Sequence, residues 1–461
     1  MNTNPLAVVR PTRHMDPRTR MAHLLRRAGF GAAPGEVNTR LDSGYDRSVV
    51  ELVEFHGVDD GLAEVDHLVG GLLDFNQIED VRTWWVYRMV HTRRPLVEKL
   101  SLFWHGHFAT GVGKVGNAPM MAQQNQLFRE HGLGPFSELL LRVARDPAML
   151  SYLDGASNKK AHPNENFARE VMELFTIGVG HYSERDVQEG ARAFTGWGLK
   201  DGAFVFNPGE HDDGVKTFLG QTGKLDGADV LRILADHPAT SERLCRKLFG
   251  FFGYPNPSSE TLLPLLEAWR QSRGSIREVL RALFLSPAFS SARAWRALIK
   301  SPAEFVIGSI RALGGTVTPR AVVPLMARMG QDLFNPPSVK GWDGGTAWIS
   351  TSSLFERFNF AASLTTQRGG EGTSHVDPEA LLRGVTPTSH AELLDRALEP
   401  LLDGEVSASA RAALLSYLST ADADPKRPGA LAAFTWDTKM VDEKLRGLLH
   451  LILASPEYQL C

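Results

Sequence analysis

Apolar residues recur every three or four positions along most of this chain, and Gly, Pro, Asn and Asp punctuate the periodic runs. The spacing predicts helices over Arg18–Ala28, Ile78–His105, Pro119–His131, Phe136–Leu150, Asn164–Ile177, Glu184–Thr195 and Leu225–Ala235. Further runs follow at Ser241–Phe252, Ser258–Arg273, Ser275–Leu285, Pro302–Leu313, Pro378–Arg383, His390–Leu401, Ser407–Leu418 and Asp442–Ala454. The fold class expected is all-α, a multi-helical orthogonal or bundle-like array. One stretch departs from it. Gly196–Gly209 alternates polar and apolar residues around Asp201-Gly202, a type I′ turn signal, so a small β-hairpin insertion is expected near 196–220. VLRALFLSPAF (Val279–Phe289) and LLHLILASPEY (Leu448–Tyr458) echo each other as buried helices stopped by Ser-Pro. A Gly/Ser-rich stretch, Arg368–Pro378, is the expected linker between a main helical domain (1–367) and a C-terminal helical region (368–461) packed on it.

With 461 residues the chain can bury a large core without disulfide or metal staples, and its two cysteines, Cys245 and Cys461, form neither a disulfide framework nor a thiolate zinc site. Fifty basic residues against 53 acidic ones, without a basic run, argue against nucleic acid as a partner. No window offers about 18 uncharged apolar residues, and the N-terminus has no signal-peptide core. A cytoplasmic protein with no membrane partner is expected.

Three polar clusters are candidates for chemistry. In FWHGHF, His105 and His107 point about 200° apart on an unbroken helix, but a helix ending at Gly106 would let both rings turn to one point. Glu98, two turns before His105, shares its face. Two imidazoles and a carboxylate suit iron, zinc or copper; the alternative is that the rings cap free carbonyls. In NENFAREVMEL, Asn164 is the expected N-cap, and Asn166, Glu170 and Glu173 form a polar stripe, with Arg169 placed to pair with Glu165 or Glu173. Paired carboxylates at this spacing occur in metal sites of helical bundles, and equally on solvated helix faces. In GEHDDGVKTFLG, His211 and two aspartates sit within one turn, and Lys216 is placed to hold an anion, unless the segment is an Asx-turn leading into a strand. In KGWDGGTAWI, Trp342 either stacks on a ligand or anchors the loop. His23 reads as packing and His237 as a cap.

HLLRRAGFG, EKLSLFWHGHFAT, DPAMLSYLDG, NENFAREVMELFTIGVGHYSERDVQEGARAFTGW, HDDGVKTFLGQTG, LFNPPSVKGWDGG and the terminal SPEYQ run in order over nearly the whole chain. Together they resemble the bacterial family called domain of unknown function 1800. The resemblance implies a gene context shared with sulfatase-like proteins, hence such a protein as a partner, and export of many relatives.

Nucleotide-binding glycine motifs, the Gly-x-Ser-x-Gly elbow and His-Glu-x-x-His are absent, which lowers the weight of nucleotide cofactors and serine hydrolysis. The expectation is therefore a metal-dependent enzyme. His105, His107 and Glu98 would bind a divalent ion, Glu170, Glu173 and Arg169 would form the catalytic cluster, and His211, Lys216 and Trp342 would be the cofactor-binding residues. Oxidation is favoured over hydrolysis by analogy with metal-bearing bundles. Non-covalent haem on a histidine is an alternative cofactor. The rival expectation is a non-catalytic helical protein that binds or matures a partner.

Overall fold

Almost every periodic run forms a helix in the computed structural model, which describes residues 15–55, 58–62, 71–316, 318–367, 374–382, 384–420 and 433–461. Prolines divide two of the runs. Ile78–His105 becomes Ile78–His91 and Pro95–His107, because Pro95 fits the first turn of a helix, where a missing N–H costs nothing, and not the interior. Phe136–Leu150 likewise becomes Phe136–Ala144 and Pro147–Tyr152, the second capped by Asp146, which accepts the Met149 N–H at 2.9 Å. Four longer helices lie outside the expected set: Glu36–Ser43, Tyr45–Val53, Pro319–Arg328 and Thr351–Thr366. The last begins in a Ser/Thr cluster that looks like a loop but supplies a capping box between Ser350 and Ser353.

The helix expected from Asn164 begins at Asn166, with the Asn164 side chain accepting the Asn166 N–H at 2.9 Å. It runs as an α-helix only to Glu170 and then widens into a π turn, Val171–Phe175. Both Ser-Pro stops take one form. Ser286 and Ser455 are extended, and their hydroxyls accept the N–H groups of Phe289 and Tyr458 at 3.2 and 3.3 Å.

The expected hairpin pairs Trp197–Lys200 with Ala203–Phe206, turning at Asp201 and Gly202, both at positive φ as a type I′ turn requires. A second two-stranded ribbon, Lys216–Phe218 with Gln221–Gly223, extends past the expected boundary. It turns at Leu219 and Gly220, a pair that carries no Asn-Gly or Asp-Gly signal.

Two apolar cores lie side by side. One collects Met21, Leu24, Leu100, Trp104, Phe108, Phe128, Phe175 and Leu248, and the other Trp85, Leu102, Val306, Phe334, Phe360, Leu394 and Leu449. Pro95–His107 contributes to both, so it is the partition between them, and all its residues but Gly106 are buried. The second core takes residues from both sides of the expected 367/368 boundary, with Arg446–Ala454 packed along Thr351–Thr366. Residues 368–373 of the expected linker lie outside the described residues. Among the described residues, no helix is long and apolar enough to cross a membrane.

Candidate functional site

The partition helix does not end at Gly106. It continues through the glycine to His107 and is closed by Phe108, so the bend on which a shared His105–His107 point depended is not formed. An unbroken helix sends the two rings to opposite sides. His105 enters the second core among Trp85, Phe334 and Trp342, with ring centres 5.4–5.5 Å away. Its Nε2 accepts the Phe334 N–H at 2.9 Å, and burial drives its pKa down to about 3, so the ring is neutral. His107 turns to the first core, where its Nε2–H donates to the Phe175 carbonyl at 3.1 Å and its Nδ1 accepts from the Lys247 amine at 3.0 Å.

Glu98 is also committed elsewhere. Arg129 donates to both its oxygens at 2.7 and 2.9 Å, Arg88 donates to Oε1 at 3.2 Å, and the Trp85 indole N–H reaches Oε2 at 3.0 Å. Burial alone would raise the carboxyl pKa, but Arg129 and Arg88 outweigh it and hold Glu98 ionised. The donor set His105, His107 and Glu98 therefore does not fit one metal ion. Among the described residues, no three His, Cys, Asp or Glu side chains gather as ligands.

The acidic stripe comes closer to His107 than its sequence separation suggests, because the Phe175 carbonyl that takes the His107 proton closes the π turn carrying Glu173. Asn166 donates to Asp154 and to the Leu153 carbonyl, both at 3.2 Å, and leaves the stripe to the glutamates. Glu173 accepts the Tyr182 hydroxyl at 3.0 Å. The Glu170 carboxyl is pushed up by partial burial and by Glu173, against the pull of Arg169 and of Lys340 from a distant loop. Arg169 pairs with Glu165 at 3.2 Å as expected, and with Glu184 at 2.7 Å, a partner the spacing did not indicate. Both pairs tie this arginine to neighbouring helix surface.

That distant loop is KGWDGG. Gly341, at φ +80°, lies so close to the partition helix that a Cβ there would collide with the Gly106 carbonyl oxygen, and Trp342 lies over the bare Gly106 surface. The HGH and KGWDGG motifs thus meet, and between them opens a cleft of about 560 Å³. Phe103, Phe251, Trp342 and Trp348 give it apolar walls, and Lys247, His107, Glu304, Lys340 and Asp343 give it polar groups. Lys247, on helix Pro238–Phe252, is the unusual one. Burial, reinforced by Arg243, brings its amine to a pKa of about 8 from the ordinary 10.5. Glu304 is the opposite case. Burial opposes its charge, but Lys99 and the Ser301 N–H, at 2.7 Å, keep its pKa at about 2.

The third cluster holds its own loop together. The His211 Nδ1–H donates to the Thr195 carbonyl at 2.8 Å, and Arg192 takes Asp212 in a two-point pair at 2.7 and 3.2 Å. The Lys216 amine donates to the carbonyls of Asp212 and Gly214, so it helps to fix the backbone of its own loop. The expected Asx-turn is present, with Asp212 accepting the Gly214 N–H at 2.8 Å. His23 packs in the core on the Phe289 carbonyl, and His237 caps its helix through Ala239 N–H.

Lys247 and Glu304 are the residues that sequence reasoning missed. Glu304 carried a signal, the capping box Ser301-x-x-Glu304. Lys247 carried a weaker one, a cation between Leu244, Leu248 and Phe251 in an otherwise apolar run. A family model described as a protein of unknown function (DUF1800) matches residues 23–460. No curated protein and no solved structure matches the chain.

Proposed function

The chain belongs to the DUF1800 family, and because that membership brings no reaction with it, we propose from the cleft an enzyme that acts on a carbonyl compound through the Lys247 amine. What carries this reading is the placement of one group: a lysine on the wall of an aromatic cleft, 3.0 Å from His107 Nδ1, with its pKa brought to about 8. Near neutral pH a useful fraction of the amine is uncharged and nucleophilic, whereas an ordinary lysine is almost fully protonated. His107 stays neutral because burial, Lys247 and Arg243 hold its pKa well below the usual value. With its own proton committed to Phe175, it accepts one N–H of Lys247 and leaves the lone pair free to face the cleft.

The amine nitrogen adds to the carbonyl carbon to give a carbinolamine, and loss of one water gives the imine, so no oxidant or reductant is consumed. The four aromatic walls suit a substrate with an apolar or aromatic portion and keep bulk water from the imine. The test is reductive trapping: the full chain is incubated with a panel of aromatic and aliphatic aldehydes and sodium cyanoborohydride, and adducts are mapped by peptide mass spectrometry. Preferential labelling of Lys247, with a rate that climbs through pH 8, supports the reading. Labelling that spares Lys247 while surface lysines react ends it.

A second reading, the metal-dependent oxidoreductase or hydrolase, is favoured by the repulsion between Glu170 and Glu173, which Arg169 and Lys340 offset only in part and which a divalent cation would remove. Elemental analysis of untagged protein after iron, zinc and copper reconstitution tests it. Stoichiometric metal that is lost in Glu170→Gln supports it, and metal-free protein rules it out.

A further inference from the structure

A second cavity, of about 300 Å³, shares Glu304 of helix Pro302–Ala312 with the cleft. Lys247 and His107 take no part in it. Much of its lining is apolar, including Ala22, Phe30, Pro34, Val37, Leu381 and Leu401. The charged groups around it are almost all matched. Arg26 holds Asp403 at 2.6 Å, Arg396 holds Glu392 at 2.9 Å, Arg18 pairs with Glu399, and Glu304 pairs with Lys99.

Lys300 is the cation of this wall that no ion pair holds. It is 4% exposed, and among the described residues its Nζ has no carboxylate or other acceptor at hydrogen-bond distance, although the negative groups of Cys461 and Glu304 act on it from farther away. The amine instead stands 3.3 Å over the ring of Tyr458, which with Arg26 and Cys461 shares the cavity wall. On that wall the Arg26 Nε is also buried without a partner. An ammonium in such a place is costly unless an anion joins it. Burial, with Arg26 and Arg296 nearby, outweighs the pull of Cys461 and Glu304 and holds the Lys300 pKa well below the usual lysine value.

We propose that this cavity binds a small amphiphilic monocarboxylate, its carboxylate on Lys300 and its hydrocarbon portion along the Phe30, Val37 and Leu401 wall. One negative charge is what the surplus cation calls for. A dianion would have to displace Asp403 or Glu399 from its arginine, and a neutral lipid would leave the amine unmatched. Carboxylate binding favours the protonated amine, so the ion pair forms as the ligand enters.

Isothermal titration of the full chain at pH 7 with octanoate and with octan-1-ol tests this directly. The expected result is octanoate binding at least tenfold tighter than the alcohol in the wild type, and equal weak binding of the two in Lys300→Met. That variant removes a buried unmatched amine and is expected to unfold at a higher temperature than the wild type, so a folding failure is recognisable. Should it fail to fold, the wild-type ratio of octanoate to octan-1-ol decides the matter alone. Equal affinity for the two in the wild type, no binding of octanoate, or a preference that survives in Lys300→Met overturns the proposal.

Discussion

Replacing Lys247 by methionine should make the protein more stable at neutral pH, and the size of the gain can be worked out from the site. An amine brought from 10.5 to about 8 has its charged form destabilised by roughly 3 kcal/mol on folding. Below pH 8 the lysine is charged in both folded and unfolded chains, and the whole penalty is felt. Between pH 8 and 10.5 the folded chain has released the proton while the unfolded chain still holds it, so stability rises with pH across that window. Above 10.5 both states are neutral and the penalty has gone. Methionine removes the charge but leaves the buried His107 Nδ1 without its donor, a loss of about 1 kcal/mol. The net gain expected at pH 7 is about 2 kcal/mol, and it should fall to near zero by pH 10. Urea unfolding of both proteins at the two pH values measures it. A variant less stable than wild type at pH 7, or a gap that does not change with pH, refutes the placement of a strained amine in the cleft. A stability cost retained at a cleft residue is the trade expected of a working group.

Other consequences can be measured in the same way. Asp146 is almost wholly buried, with Oδ1 unpartnered, and burial raises its pKa from 3.8 to about 7. Its contribution is intact below pH 3.8 and lost as pH rises through 7, so Asp146→Asn should match the wild type near pH 4 and exceed it at pH 8 by roughly 4 kcal/mol at most; a pH-independent difference in urea unfolding contradicts this. Glu98→Gln strips the anion from two buried arginines and should cost about 3–5 kcal/mol, whereas a loss below about 1 kcal/mol shows that the network is not what holds the helices together. Gly341→Ala faces both a positive φ and the Gly106 carbonyl and should cost on the order of 2 kcal/mol or more, against about 1 for Gly345→Ala, which has open space around it; equal melting temperatures would deny the close approach of the two motifs.

The fold class was legible because burial in helices writes a 3.6-residue period into the chain, and that period survives wherever one face meets a core. It fails where the cue is a cap and not a face, as at Ser350, or where proline divides a continuous pattern, as at Pro95 and Pro147. The Asp201-Gly202 hairpin was legible because a type I′ turn restricts its residues, and the Leu219-Gly220 ribbon was not because it uses a pair outside that restriction. At the candidate site, the sequence singled out His107, Trp342 and the two glutamates but tied His107 to the wrong neighbours. Spacing along one helix says which residues share a face, not which distant segment meets that face. Whether Gly106 ends a helix or admits a second loop depends on Gly341, 235 positions away. Lys247 escaped notice for a related reason: a lysine beside an apolar stripe usually extends its amine to water.

The π turn at Val171–Phe175 gives this region a place where the chain can lose a residue. Such a turn accommodates one residue more than an α-helix of the same rise. Deleting one of the five would let the segment relax to ordinary winding while the helix before it and the chain after it keep nearly the same places. Only the positions inside the turn would change register, and the Phe175 carbonyl that takes the His107 proton lies at their edge. A loss of one residue is absorbed here, whereas the same loss from a neighbouring α-helix would turn everything beyond it by about 100°.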